Sequence, residues 1–218
     1  MMPNKDKPRY RTRKSHISTN TLAMCDRYLK FVYVLPGWEG SAADSRVLRD
    51  ALTRPHGLRV PKGNYYLCDN SYANCDGFLA PYKSVRYHLK EWGPMCARPQ
   101  NTQELFNLRH AKARNIIERA FGIMKMRWGI LQSTSYYPVK TQNRLIMAWF
   151  IINNFIRSEM AVDPIEQEFD NLFQDNAVLE TEHEEYIEGV ESSPEWNAAR
   201  DALATAKWHQ YIANFDHM

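Results

Sequence analysis

Cysteine is scarce and unpaired in this sequence: Cys25, Cys68, Cys75 and Cys96 form no Cys-x-x-Cys word. That excludes a disulfide-stapled secreted scaffold and leaves no zinc-type spacing, so reduced thiols in a cytosolic or nuclear compartment are the default. Long apolar runs are missing too. The longest, residues 145–156, is too short to cross a bilayer and contains Asn153 and Asn154, so it reads as a buried core helix and argues against a membrane protein. The opening residues, MMPNKDKPRYRTRK, lack the apolar stretch of a signal peptide, and there is no internal repeat.

Acidic side chains are few in the first 160 residues, 11 against 26 basic ones, whereas the last 58 hold 14 acidic and only 2 basic. The overall +3 therefore hides a body near +15 and a tail near −12. A basic excess of that size favours a polyanionic partner, because each phosphate neutralised releases condensed counterions. The acidic tail is expected to shield the basic face when nucleic acid is absent.

Pattern divides the chain further. Residues 1–18 are polar, with Arg9, Arg11, Arg13 and Lys14 alternating with Tyr10 and Thr12, a basic arm suited to phosphate or to a nuclear address. Strand-prone residues at 19–25 and 31–35 flank a polar turn at Asp26 and Arg27, which predicts a hairpin ended by Pro36 and Gly37. A helix follows, with Val47, Leu48, Ala51 and Leu52 at helical spacing and Asp44 near its start. Residues 65–68 read as a short buried strand delivering Asp69 at its carboxyl end, where α/β sheets keep their ligands. An irregular connection is expected over 73–99. Asn101 and Glu104 then cap a long helix whose apolar face includes Leu105, Leu108, Ile116, Ala120, Ile123 and Met124. A second helix near 141–158 is apolar nearly all round, which predicts core. Residues 161–192 read as an acidic linker, and 193–218 as an amphipathic helical segment, capped by Ser193, that docks back or recruits a protein partner.

Metal-assisted cutting of a phosphodiester needs acids from several elements to converge on divalent cations. Asp69, after a strand, and Glu118, among basic neighbours on the long helix, are candidates for two such ligands. Their bland alternatives are a turn cap and an ordinary ion-pair partner.

Longer words in the sequence go further. PRYRTRK, VLPGWEGSAADSRVLRDAL, GNYYLCDNSY, GFLAPYKSVRYHL, NTQELFNLRHAKARNIIERAFGIMKMRWGIL and INNFIR resemble, in order and spacing, the DDE endonuclease domain of PIF/Harbinger-type transposases and of host proteins derived from them. The resemblance implies a ribonuclease H-like α/β fold over residues 19–160, Mg2+ or Mn2+, DNA as substrate, nuclear action and a triad of Asp, Asp and Glu. It puts the second Asp on Asp69 and the Glu on Glu118. The first Asp belongs to a strand upstream of the PRYR word, and only seven residues precede Pro8 here. The expectation is therefore an incomplete fold lacking its first central strand, with no cleavage by this chain alone. The alternative is a non-catalytic nuclear module that binds DNA or protein. Departures from the family's words include Asn70 and Ser71 after the second acid, where a small residue and Gly are usual. Expected phosphate contacts are Arg9, Arg11, Arg13 and Lys14, then Arg114, Arg119 and Lys125 around the acid-bearing helix.

Overall fold

A computed structural model describes residues 7–11, 17–92, 98–132, 137–173 and 192–214. The chain divides into two units, one drawn from Met1–Leu58 and Ile116–Leu179, the other from Arg59–Asn115 and Glu180–Met218. Among the described residues there are two small sheets and five α-helices, a mixed α/β protein.

In the first unit, β1 (Thr19–Cys25) and β2 (Phe31–Glu39) form the expected antiparallel hairpin. Asp26 builds its turn. The Asp26 N–H donates to the Lys30 carbonyl at 2.9 Å, and Asp26 Oδ1 accepts from the N–H groups of Tyr28 at 2.8 Å and Lys30 at 3.0 Å. Those bonds hold the buried Leu29 at φ 62°, a left-handed conformation that a leucine adopts only when its surroundings fix it.

The sequence expects the strand to stop before Pro36 and Gly37, but β2 continues to Glu39. Thr21 faces Pro36 and Asn20 faces Trp38, so Gly37 is the extra residue of a β-bulge, at φ 95°. Pro36 is tolerated because it lies beside the bulge in a two-stranded sheet, where each strand is an edge. α1 (Asp44–Thr53) buries Val47, Leu48 and Ala51 as its spacing predicts. Asp44 stands in its first turn and accepts from Asn20 Nδ2 at 3.2 Å, while Trp38 Nε1 donates to Asp50 Oδ2 at 3.1 Å.

The core of this unit joins Leu29 and Phe31 of the hairpin to Ala120, Ile123 and Met124 of α2 (Thr102–Arg127), Phe150 of α3 (Val139–Glu159) and Phe169 of α4 (Pro164–Phe173). Phe31 meets Phe150 edge to face, with ring centroids 4.4 Å apart. Two sequence expectations change here. α3 buries one face only: Phe150 and Asn153 are buried, whereas Met147, Ile151, Ile152 and Phe155 are exposed. The stretch read as an acidic linker contains α4, whose Ile165 and Phe169, one turn apart, pack inward.

In the second unit, β3 (Tyr66–Leu67) and β4 (Phe78–Leu79) pair in parallel, with Tyr66 opposite Phe78 and Leu67 opposite Leu79. The irregular connection expected from 73 onward thus contains a strand, and a 3-10 turn, Leu89–Trp92. α2 begins as expected: Glu104 N–H donates to Asn101 Oδ1 at 2.9 Å, and Glu104 Oε2 reaches back to Gln100 N–H at 2.8 Å. α5 (Pro194–Ala213) begins at Ser193, whose Oγ accepts from Trp196 N–H. It docks on the segment after β4. Trp196 Nε1 donates to the Phe78 carbonyl at 3.0 Å, Tyr82 OH donates to Asp201 Oδ1 at 2.6 Å, and Ala204 is buried with Leu79, Tyr82 and Phe106. α2 contributes residues to each unit.

Candidate functional site

Asp69 is set by the ladder just before it. Cys68 N–H donates to the Leu79 carbonyl at 3.1 Å, and Asp69 is the next residue, also buried. Its carboxylate closes a local turn. Oδ1 accepts from Ser71 N–H at 2.8 Å and from Ser71 Oγ at 2.5 Å, while the Asp69 carbonyl accepts from Tyr72 N–H at 3.3 Å. A side chain that bonds the backbone two residues on replaces the glycine such a bend otherwise favours.

Next to this turn α2 presents a polar stripe. Asn107 is fully buried; its Oδ1 accepts from Tyr82 N–H at 2.8 Å and its Nδ2 donates to the Tyr82 carbonyl at 3.0 Å. One turn later the buried His110 donates from Nε2 to the Leu79 carbonyl at 2.9 Å, the same oxygen that receives Cys68 N–H. Burial lowers the His110 pKa to about 4; the Leu79 bond and the charge of Asp69 oppose that shift, and Arg114 and Arg200 reinforce it. Arg114, another turn on, donates from Nε to Tyr87 OH at 2.9 Å. Burial, with the Asp69 charge beside it, also pushes the Cys68 thiol well up.

The sequence reading did not single out His110. Its signal was spacing: His110, Arg114 and Glu118 recur every fourth residue of α2. Glu118 is half-buried. It belongs to the first unit and Asp69 to the second.

The model of the DDE superfamily endonuclease family matches residues 1–154. The chain belongs to that family. The Harbinger-type transposase nuclease domain expected from the sequence words falls within it. A curated relative, Protein ALP1-like of Arabidopsis thaliana, is 24% identical over 158 residues, covering 66% of this chain. The chain spans 36% of that relative's length. No solved structure matches.

The basic residues of this DDE-family domain fall into different settings. Arg9 pairs with Glu39, and Arg11 bridges to Ile17 with its side chain exposed. Arg13 and Lys14 lie outside the described residues. Arg119 is gripped by α4: Nε and one terminal nitrogen donate to the two Asp170 oxygens at 3.0 and 2.7 Å, and the same nitrogen lies 2.7 Å from Glu166. Burial acts to lower the Arg119 pKa, but the two carboxylates prevail and hold it raised. Arg127 pairs with the buried Asp163, Arg157 with Glu166 at 2.7 Å, and Lys125 is exposed.

The family implies a divalent cation. Magnesium takes oxygen ligands in near-ideal octahedral geometry, usually through one or two carboxylates with water. Among the described residues no three of His, Cys, Asp or Glu gather around one point, and Asp69 Oδ1 already receives two donors from Ser71.

Proposed function

We propose that this chain is a transposase-derived nuclease domain that engages DNA in the nucleus and carries Asp69 and Glu118 as the second and third acids of the family's triad. In this reading the chain does not cut DNA by itself. The proposal includes a ribonuclease H-like ancestry in which the first central strand and its acid are missing from these 218 residues. The observation that carries the reading is the family match over 1–154, which spans both acids, together with the double hold of Ser71 on Asp69 Oδ1.

The chemistry behind the predicted inactivity is charge. A cation of the family's kind would activate water and stabilise the leaving oxygen, and acids from several elements must offset its charge. Two acids, one of them already bound by a serine, supply less than that. For DNA contact the exposed Arg11 and Lys125 come first, and the sequence cluster that holds Arg11 adds Arg13 and Lys14. Arg9, Arg114 and Arg119 must exchange Glu39, Tyr87 or the α4 carboxylates for a phosphate.

The test is incubation of supercoiled plasmid with the purified chain and magnesium or manganese, beside an Asp69→Asn, Glu118→Gln double variant. Salt-sensitive duplex binding with no nicking above the double variant is expected. Nicking above it overturns the incompleteness, and no binding at low salt overturns the DNA reading.

A further inference from the structure

Five apolar residues of α3 face solvent along one side of the helix: Met147, Ala148, Ile151, Ile152 and Phe155. Ile151 and Phe155 are each 64% exposed, unusual for large side chains on a helix whose other face lies in a core. They recur at steps of three and four, the seam of a helix that packs against another helix. Contiguous apolar patches of this kind mark interaction surfaces.

The ends of the stripe carry opposite charge. Arg144 is exposed at the start and Glu159 at the end. Laid against an antiparallel copy of itself about a two-fold axis between Ile151 and Ile152, this helix would bring Arg144 to the partner's Glu159, Ala148 to the partner's Phe155, and Ile151 to the partner's Ile152. Each relation is made twice. The charges complement, the small Ala148 leaves room for the large Phe155, and the isoleucines close the centre. A parallel copy would instead set like charges at each end.

We infer that the exposed face of α3 is a homodimer interface, an antiparallel α3–α3 contact with a second copy of this chain. Self-complementarity is what a two-fold interface requires, and this stripe has it in both charge and side-chain size. The inference is independent of any nuclease role.

The test is sedimentation velocity on the full chain from low to high micromolar concentration, with circular dichroism to verify folding. All the substituted positions are exposed, so the variants keep the core intact. A dimer is expected whose dissociation constant rises about tenfold in Arg144→Glu and in Glu159→Arg, since each reversal sets two like-charge pairs at the rim. The double reversal restores it, and Phe155→Asp abolishes it. A monomer at every concentration overturns the inference, as does a dimer indifferent to Phe155→Asp. A monomer that binds lipid vesicles through the same face also overturns it; α3 with α4 has the length and composition of a bent apolar pair, although among the described residues no single helix is long and apolar enough to cross a membrane.

Discussion

The side chain of Asn154 occupies both backbone hydrogen-bonding groups of Phe31: Oδ1 accepts from the N–H at 2.8 Å and Nδ2 donates to the carbonyl at 2.7 Å. A helix residue thereby does what a neighbouring strand does, at a point where the β2 backbone enters the core. Asn154→Ala leaves a donor and an acceptor unmet at once, so a loss of about 2 kcal/mol is expected in urea unfolding. Asn154→Asp, which keeps the acceptor and loses the donor, is expected to fall between the two; equal stability of all three proteins would remove the role.

Gly37 carries a double constraint. Its φ of 95° disfavours any other residue, and an added Cβ would stand 1.9 Å from Asn143 Nδ2 and 2.5 Å from Asn143 Cγ. Gly37→Ala is expected to cost about 2 kcal/mol. Asn143→Ala in the same background should return the steric part and leave the conformational part, which thermal unfolding of the single and double variants separates.

His110 makes the second unit acid-sensitive. Its folded pKa of about 4 lies below the 6.5 of a free imidazole, so the unfolded chain binds the extra proton first. The stability contribution is therefore present above pH 6.5 and is lost as pH falls toward 4. Between pH 7 and pH 5 the loss attributable to His110 is about 2 kcal/mol. His110→Gln, which keeps a donor for the Leu79 carbonyl, should flatten that part of the profile in denaturant titrations at the two pH values.

α4 alters how the shielding hypothesis must be tested. Deleting the acidic tail from 161 onward would also remove Phe169 from the core, so such a deletion is expected to unfold the first unit and report nothing about DNA. Asp170→Asn, which leaves the apolar contacts of α4 alone, releases one carboxylate from Arg119. About threefold tighter duplex binding at low salt is expected, fading as salt rises. Fluorescence anisotropy at several salt concentrations measures it, and unchanged affinity at low salt would mean Arg119 does not meet phosphate.

Much of the local architecture was legible because local chemistry wrote it. Asp26 turned the hairpin, Asn101 and Glu104 opened α2, Ser193 opened α5, and a short apolar run placed Asp69 after a strand. The misreadings share a cause, which is that pairing partners are far away in sequence. Pro36 and Gly37 look like strand breakers until Asn20 and Thr21 are set opposite them in a bulge. α3 looks like core from composition alone, since nothing local says that one apolar face will be left outside. Asp163 and the acids of α4 look solvated until Arg127 is brought to the first and Arg119 and Arg157 to the others. His110 was hidden for the same reason: only the Leu79 carbonyl reveals that this histidine is buried and neutral.

Cys25, Cys68 and Cys75 are unbridged, and burial pushes all three thiols up, Cys25 to about 12. Thiolate is the species that alkylating reagents attack, so each sulfur stays silent while its surroundings are closed. The chain consequently carries reporters of its own breathing: timed iodoacetamide labelling, read residue by residue in a mass spectrometer, clocks the opening of the first unit at Cys25 and of the second at Cys68 and Cys75.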